Sequence, residues 1–171
     1  MIIIGLGSNL PSDIGGPLET LRATLAALAA KDLKIIRCSP FFRSAPVPLS
    51  DQPWFVNAVA EVETGQSPAE LMALLHATEL GFGRVRRQRN EARIIDLDLI
   101  TYHDRVSEPG EWPELPHPRM HDRAFVLRPL ERIAPDWRHP RTGRSVAEMI
   151  AALPAEQEIH ELAAPQWLAE T

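Results

Sequence analysis

The chain has 171 residues, 44% of them hydrophobic and 24% charged, with a net charge of −5. That length is ample for one domain with a buried core, and no run approaches the roughly 18 apolar residues of a membrane span. A lone cysteine, Cys38, excludes a disulfide framework and a thiolate metal cluster.

Met1-Ile2-Ile3-Ile4-Gly5 has neither a basic region nor a cleavage site. It reads as a strand rather than a signal peptide, and the expected compartment is the cytoplasm. Ile2 to Ser8 is a short apolar run closed by Gly, Ser and Asn, a buried strand followed by a turn. Leu18, Leu21, Leu25 and Leu28 recur at helical spacing between about residues 16 and 30. Lys34 to Arg43 reads as one strand, and the three prolines in residues 44–53 then exclude a helix or a central strand. Alternation resumes from Trp54 to Thr64, with Phe55 and Asn57 sharing a face.

Ser67-Pro68-Ala69-Glu70 is a capping box with proline at the first helical position, which predicts a helix to about Gly81 with Leu71, Leu74 and Leu75 as its apolar stripe. A strand is predicted from Ile94 to Tyr102, and residues 107–118 are proline-rich and irregular. A short helix is expected within residues 122–133, although Pro129 interrupts it, and a second capping box, Ser145 to Glu148, opens a helix to about Leu153. The first 102 residues thus follow the order β-α-β-β-α-β, which is ferredoxin-like: an antiparallel sheet covered by helices in an α+β fold, with a helical C-terminal extension. Residues 1–153 are expected to form the single domain and residues 154–171 a tail.

Charge is concentrated in one place. Arg84, Arg86, Arg87, Arg89 and Arg93 stand together with only Glu91 to oppose them. A basic knot within an acidic chain suits a small anionic ligand better than a nucleic-acid backbone, which calls for a whole basic face. Directly after it, Arg93-Ile94-Ile95-Asp96-Leu97-Asp98-Leu99-Ile100 places Asp96 and Asp98 on one face of a strand, flanked by Ile94 and Ile100. The carboxylates would lie roughly 6.5 Å apart, two strand residues at about 3.3 Å each. Their repulsion is on the order of 2.5 kcal/mol at an effective dielectric near 20. Such a pair calls for a cation or a shared proton. Oxygen ligands beside arginines that could hold phosphate point to Mg²⁺. The same pattern also suits an exposed strand face with two solvated acids and a solvated basic loop.

Other classes are excluded by absence. Gly5-Leu6-Gly7-Ser8-Asn9 lacks the third glycine of a dinucleotide fingerprint, and neither a P-loop nor a His-Glu-x-x-His helix occurs. A two-metal phosphohydrolase and a non-catalytic ligand-binding module both remain compatible with the residues alone.

Six blocks taken together carry a specific likeness. They are Gly5-Leu6-Gly7-Ser8-Asn9, Phe55-Val56-Asn57-Ala58, Gly83-Arg84-Val85-Arg86, Arg93 to Asp98, Leu115-Pro116-His117-Pro118-Arg119-Met120, and Arg123 to Leu130. In order and spacing they resemble the 6-hydroxymethyl-7,8-dihydropterin pyrophosphokinase family over about residues 2–153. The resemblance implies a ferredoxin-like fold and transfer of the β,γ-pyrophosphate of ATP to the pterin hydroxymethyl group, releasing AMP, in folate biosynthesis.

It further implies two Mg²⁺ ions held by Asp96 and Asp98, with Arg84 and Arg93 stabilising the pyrophosphoryl group. Glu79, Arg86, Arg93, His117 and Arg123 would hold ATP. Phe55 and Phe125 would sandwich the pterin, with Asn57 and the backbone near Ser44 and Val47 reading its edge. The partners are then the two small substrates, with no nucleic acid and no membrane, and the chain is expected to be monomeric. Phe55 stands where other members have tyrosine, Trp112 where some place an ATP-binding arginine, and Asn90 where the best-known members carry tryptophan in a loop one residue longer.

Overall fold

The computed structural model describes residues 1–31, 33–84 and 91–163. Its sheet is built outward from β1 (Ile2–Ser8). An apolar run that remains apolar at successive positions must be covered on both faces, and Ile2, Ile3, Ile4 and Leu6 are all buried. β1 lies between β4 (Phe55–Glu63) and β5 (Asp96–Tyr102), antiparallel to both. With β2 (Lys34–Cys38), β3 (Phe42–Ser44) and β6 (Ile159–Glu161), the order across the sheet is β5-β1-β4-β3-β6, and β2 also pairs with β4. This is the antiparallel α+β arrangement expected from the element order.

Helices cover both faces. α1 (Pro17–Ala29) and α2 (Pro68–Gly81) pack Leu21, Leu28, Leu71 and Leu75 against Ile2, Ile4, Leu6, Leu97 and Leu99. On the opposite face, α3 (Ala124–Ile133) and α4 (Val146–Ala151) pack Val126, Leu127, Leu130, Val146 and Met149 against Ile3, Val59 and Ile100. α3 persists through Pro129, which is itself buried, because the apolar stripe around it is anchored in this second core. The hydrogen bond that proline removes is offset by that burial.

The expected single strand over residues 34–43 is instead two, β2 (Lys34–Cys38) and β3 (Phe42–Ser44). Pro40 has no N–H to give the ladder. The sheet is stitched across the break by Ser39, whose N–H donates to the Val59 carbonyl at 2.9 Å while its hydroxyl accepts the Val59 N–H at 3.1 Å. β5 starts at Asp96, two residues later than predicted, because the Arg93 carbonyl is taken by the N–H groups of Asn9 and Leu10. Ile94 therefore lies outside the strand that carries the carboxylates, while Ile100 does flank them.

Part of the stretch set apart as a tail belongs to the sheet. β6 (Ile159–Glu161) pairs antiparallel with β3. Just before it, Gln157 accepts the Ala124 N–H at 2.8 Å and donates to the Asp122 carbonyl at 2.6 Å, capping a helix whose N-cap residue, Arg123, makes no side-chain cap bond. The weak pattern of these residues hid them because an edge strand of three residues has little periodicity to show.

The capping box on α2 forms as predicted, with the Ser67 hydroxyl accepting the Glu70 N–H and the Glu70 carboxylate accepting the Ser67 N–H at 2.8 Å. Ser67→Ala should cost about 1 kcal/mol of unfolding free energy, read as a lower midpoint in urea at unchanged slope.

Candidate active site

One face of the sheet, beyond the second core, is left open as a cavity of about 610 Å³. Strand register decides what lines its floor. Asp96 lies opposite Gly7 and Asp98 opposite Gly5 on one side of β1, while Asn57 lies opposite Gly7 on the other. Phe55 precedes Asn57 by two residues on β4, and Ser44 of β3 pairs with Phe55. The period of two puts all these side chains on the same face. The middle of the floor must be bare. A Cβ on Gly7 would stand 3.0 Å from the Asn57 Oδ1, and one on Gly5 3.1 Å from the Ile100 Cδ1.

Arg84 reaches the site through the end of α2. Gly83 has φ +83°, the left-handed conformation that glycine adopts without a Cβ penalty. The Arg84 N–H donates to the Glu79 carbonyl and the Gly83 N–H to the Leu80 carbonyl, a Schellman termination. The guanidinium then pairs with Glu79 and Asp96. Arg93 approaches from the other side, donating from Nη1 to the Asp96 Oδ2 at 2.6 Å, with its guanidinium 5.9 Å from the centre of the Phe55 ring. Arg123, at the start of α3, lies 3.9 Å from the Asp98 Oδ2 and over the Phe125 ring at 5.2 Å.

The two carboxylates are therefore unlike. Burial alone would raise Asp96, but Arg93, Arg84 and Arg123 outweigh it and hold Asp96 below the usual carboxylate range. Asp98 is pushed up to about 6, first by burial and then by the charge of Asp96, with Arg123 only partly compensating. His117 is pushed down to about 4 by burial and by the cations of Arg123 and Arg119. It is neutral at physiological pH, with Nδ1 accepting the Arg119 N–H at 3.2 Å, so Nε2 carries the proton.

Of the residues expected in the site, Arg84, Arg93, Asp96, Asp98, His117, Arg123, Ser44, Val47, Phe55, Asn57 and Phe125 all line this cavity. The Asn57 amide donates to the Ser44 hydroxyl at 2.8 Å. Glu79 is 1% exposed. Its carboxylate accepts the Leu97 N–H at 2.7 Å and pairs with Arg84, so it stands behind that arginine. Arg86 and Asn90 lie outside the described residues. Trp112 is 58% exposed and tilts against His76 of α2, both at the cavity wall.

One residue without an assigned role proves central: Asn9, the end of the first block, is 2% exposed and bonds to both flanks of the site. Its signals were its position closing a strand with a turn and its place in the first block of the resemblance.

Among the described residues no three His, Cys, Asp or Glu side chains gather to hold a metal by themselves. The donor set nevertheless fits a divalent cation of the Mg²⁺ type, which takes one or two carboxylates and completes its shell with substrate oxygens and water. A cation bound there would offset the burial and the Asp96 charge that raise Asp98.

Arginine-ringed carboxylates beside an aromatic, amide-bearing pocket are the equipment of a phosphoryl-transfer enzyme. Residues 3–135 match the family model for 7,8-dihydro-6-hydroxymethylpterin-pyrophosphokinase (HPPK). A 2-amino-4-hydroxy-6-hydroxymethyldihydropteridine pyrophosphokinase of Synechocystis sp. is 40% identical over 86% of this chain and 73% of its own. One of Pseudomonas aeruginosa is 38% identical over 91% and 93%. The crystal structure of an HPPK-DHPS in complex with substrates shares the fold, with a TM-score of 0.67 at 13% identity over 88% of this chain and 42% of that one. The chain belongs to the 7,8-dihydro-6-hydroxymethylpterin-pyrophosphokinase family.

The raised Asp98 has a consequence for stability. A folded-state pKa above the unfolded value means that the folded chain binds this proton more tightly. That stabilisation is complete below the ordinary carboxylate range and lost as pH climbs through about 6. Without divalent metal, Asp98→Asn should raise the Tm near neutral pH, and the difference should close in acid. Calorimetry across that range checks it, and equal Tm values at neutral pH would contradict it.

Proposed function

We propose that the chain transfers pyrophosphate from ATP to the hydroxymethyl group of 6-hydroxymethyl-7,8-dihydropterin, giving AMP and the pterin pyrophosphate for folate biosynthesis. The observation that carries the site assignment is the line of the cavity across the sheet. Its ring-binding end lies over β4 and β3, at Phe55, Asn57 and Ser44. Its charged centre lies over β1 and β5, at Asp96, Asp98 and the arginines. Its far end lies beyond β5 against α2, at Met72, His76 and Trp112. An acceptor ring, a polyphosphate and a nucleoside fit in that order.

Each part follows from its chemistry. Phe55 and Phe125 offer apolar faces to a flat heterocycle, and the Asn57 amide, fixed by Ser44, reads its edge. The hydroxymethyl oxygen forms its bond to the β-phosphorus as the bond from that phosphorus to the bridging oxygen of AMP breaks. Arg84 and Arg93 meet the negative charge on the moving group. In this structure both occupy Asp96, and a polyphosphate would compete for them. Asp96 and Asp98 would hold two Mg²⁺ ions, which neutralise phosphate charge and align the attacking and leaving oxygens when bound. His117, Arg123 and Arg86 would hold ATP, as would Glu79 through its grip on Arg84. The proposed working unit is a monomer. ATP as donor supports a cytoplasmic location, and no helix among the described residues is long and apolar enough to cross a membrane.

With ATP, Mg²⁺ and the pterin, phosphorus NMR should show AMP and pterin pyrophosphate, and nothing without the pterin. Asp96→Ala and Asp98→Ala should each lower kcat by roughly 10²-fold or more. ADP or inorganic phosphate formed in the absence of pterin would instead make the chain a hydrolase.

Phe125→Ala removes one face of the ring site. It should raise the pterin KM about ten-fold, the scale of one lost stacking partner, while the Kd for nucleotide alone stays within about two-fold. Equal losses for both substrates would move Phe125 out of the pterin site.

A further inference from the structure

We propose that Asn9 is a positioning residue that couples the two substrate subsites, so that each substrate binds more tightly when the other is present. The inference rests on the assignment above of phosphates to the Arg93 side and pterin to the Phe55 side.

The geometry is a three-way clamp. The Asn9 Oδ1 accepts the Arg93 N–H at 2.7 Å. Its Nδ2 donates to the Pro53 carbonyl at 3.0 Å and to the Gln52 Oε1 at 3.2 Å. Its own N–H, with that of Leu10, donates to the Arg93 carbonyl at 3.1 and 3.2 Å. The partners fix the amide's orientation, since an N–H needs the oxygen and a carbonyl needs the NH₂.

Arg93 pairs with Asp96 at the charged centre, and Pro53 stands two residues before Phe55 at the ring-binding end. One buried side chain thus joins the backbone of the phosphate arm to the backbone of the pterin arm. The arms also touch where the Arg93 guanidinium approaches the Phe55 ring. A ligand that fixes one arm reduces, through this bridge, the ordering the other ligand must still impose. The effect is positive cooperativity and is reciprocal.

Asn9→Asp separates the functions of the clamp. Its carboxylate still accepts the Arg93 N–H but cannot donate to Pro53 or Gln52. Gln52→Ala removes one of the two donated bonds and leaves Asn9 in place.

The readout is pterin affinity by calorimetry, with and without α,β-methylene ATP and Mg²⁺, the analogue whose scissile linkage cannot break. Wild type should bind pterin about ten-fold more tightly with the nucleotide than without it, within the usual range for coupled sites. Asn9→Asp should bring that ratio close to one while its Kd for the nucleotide alone stays within about two-fold. Gln52→Ala, at unchanged Tm, should give an intermediate ratio.

A merely structural role would weaken both ligands together and leave the ratio intact, and that result in either variant overturns the proposal. A wild-type ratio near one, with both ligands bound, overturns it while sparing the functional assignment. Failure of wild type to bind either ligand overturns both.

Discussion

The pairing of β1 with β4 on one side and β5 on the other is the constraint on which the site depends. It sets Gly5 and Gly7 between Asp98, Asp96 and Asn57, so three strands present their functional side chains to one face while β1 presents none. A slip of one residue would turn the carboxylates into the apolar core and Leu97 into the cavity. The covered faces prevent this, since Leu97 and Leu99 are buried against the helices on the far side. The same hydrophobic alternation that stabilises the sheet therefore also fixes where the charges stand.

Charge within the site is arranged unequally rather than balanced. Among the described residues two guanidinium groups pair with Asp96, whereas Asp98 has the longer approach of Arg123 and the more distant charge of Arg93. The arginines thereby hold Asp96 below the usual carboxylate range, while burial and the charge of Asp96 push Asp98 above it. Buried charge without a partner is costly. At Asp98 that cost is only partly offset by Arg123.

Much of this was legible in the sequence where short-range rules apply. Ser67 and Glu70 announced the start of α2, and the period of two alone placed Asp96 and Asp98 together. What escaped depended on distant partners. The inequality of the two aspartates arises from where Arg84 and Arg93 end up, which no spacing within β5 reveals. Asn9 stood in a recognisable motif, yet its partners lie at residues 52, 53 and 93. The break at Pro40 could be suspected from the missing N–H, but not the way the Ser39 hydroxyl bridges it.

The contact between Gln157 and the first turn of α3 has a temporal side. Proteins emerge from the ribosome N-terminus first, at about 5–20 residues per second. The strands that carry Asn57, Asp96 and Asp98 are complete once residue 102 has been made. The helix that brings Phe125 and follows Arg123 is capped only by a side chain 33 positions downstream. β6, the last strand among the described residues, then closes the edge beside Ser44. Synthesis thus delivers the acidic pair before the residues that cap α3 and close the sheet edge beside Ser44.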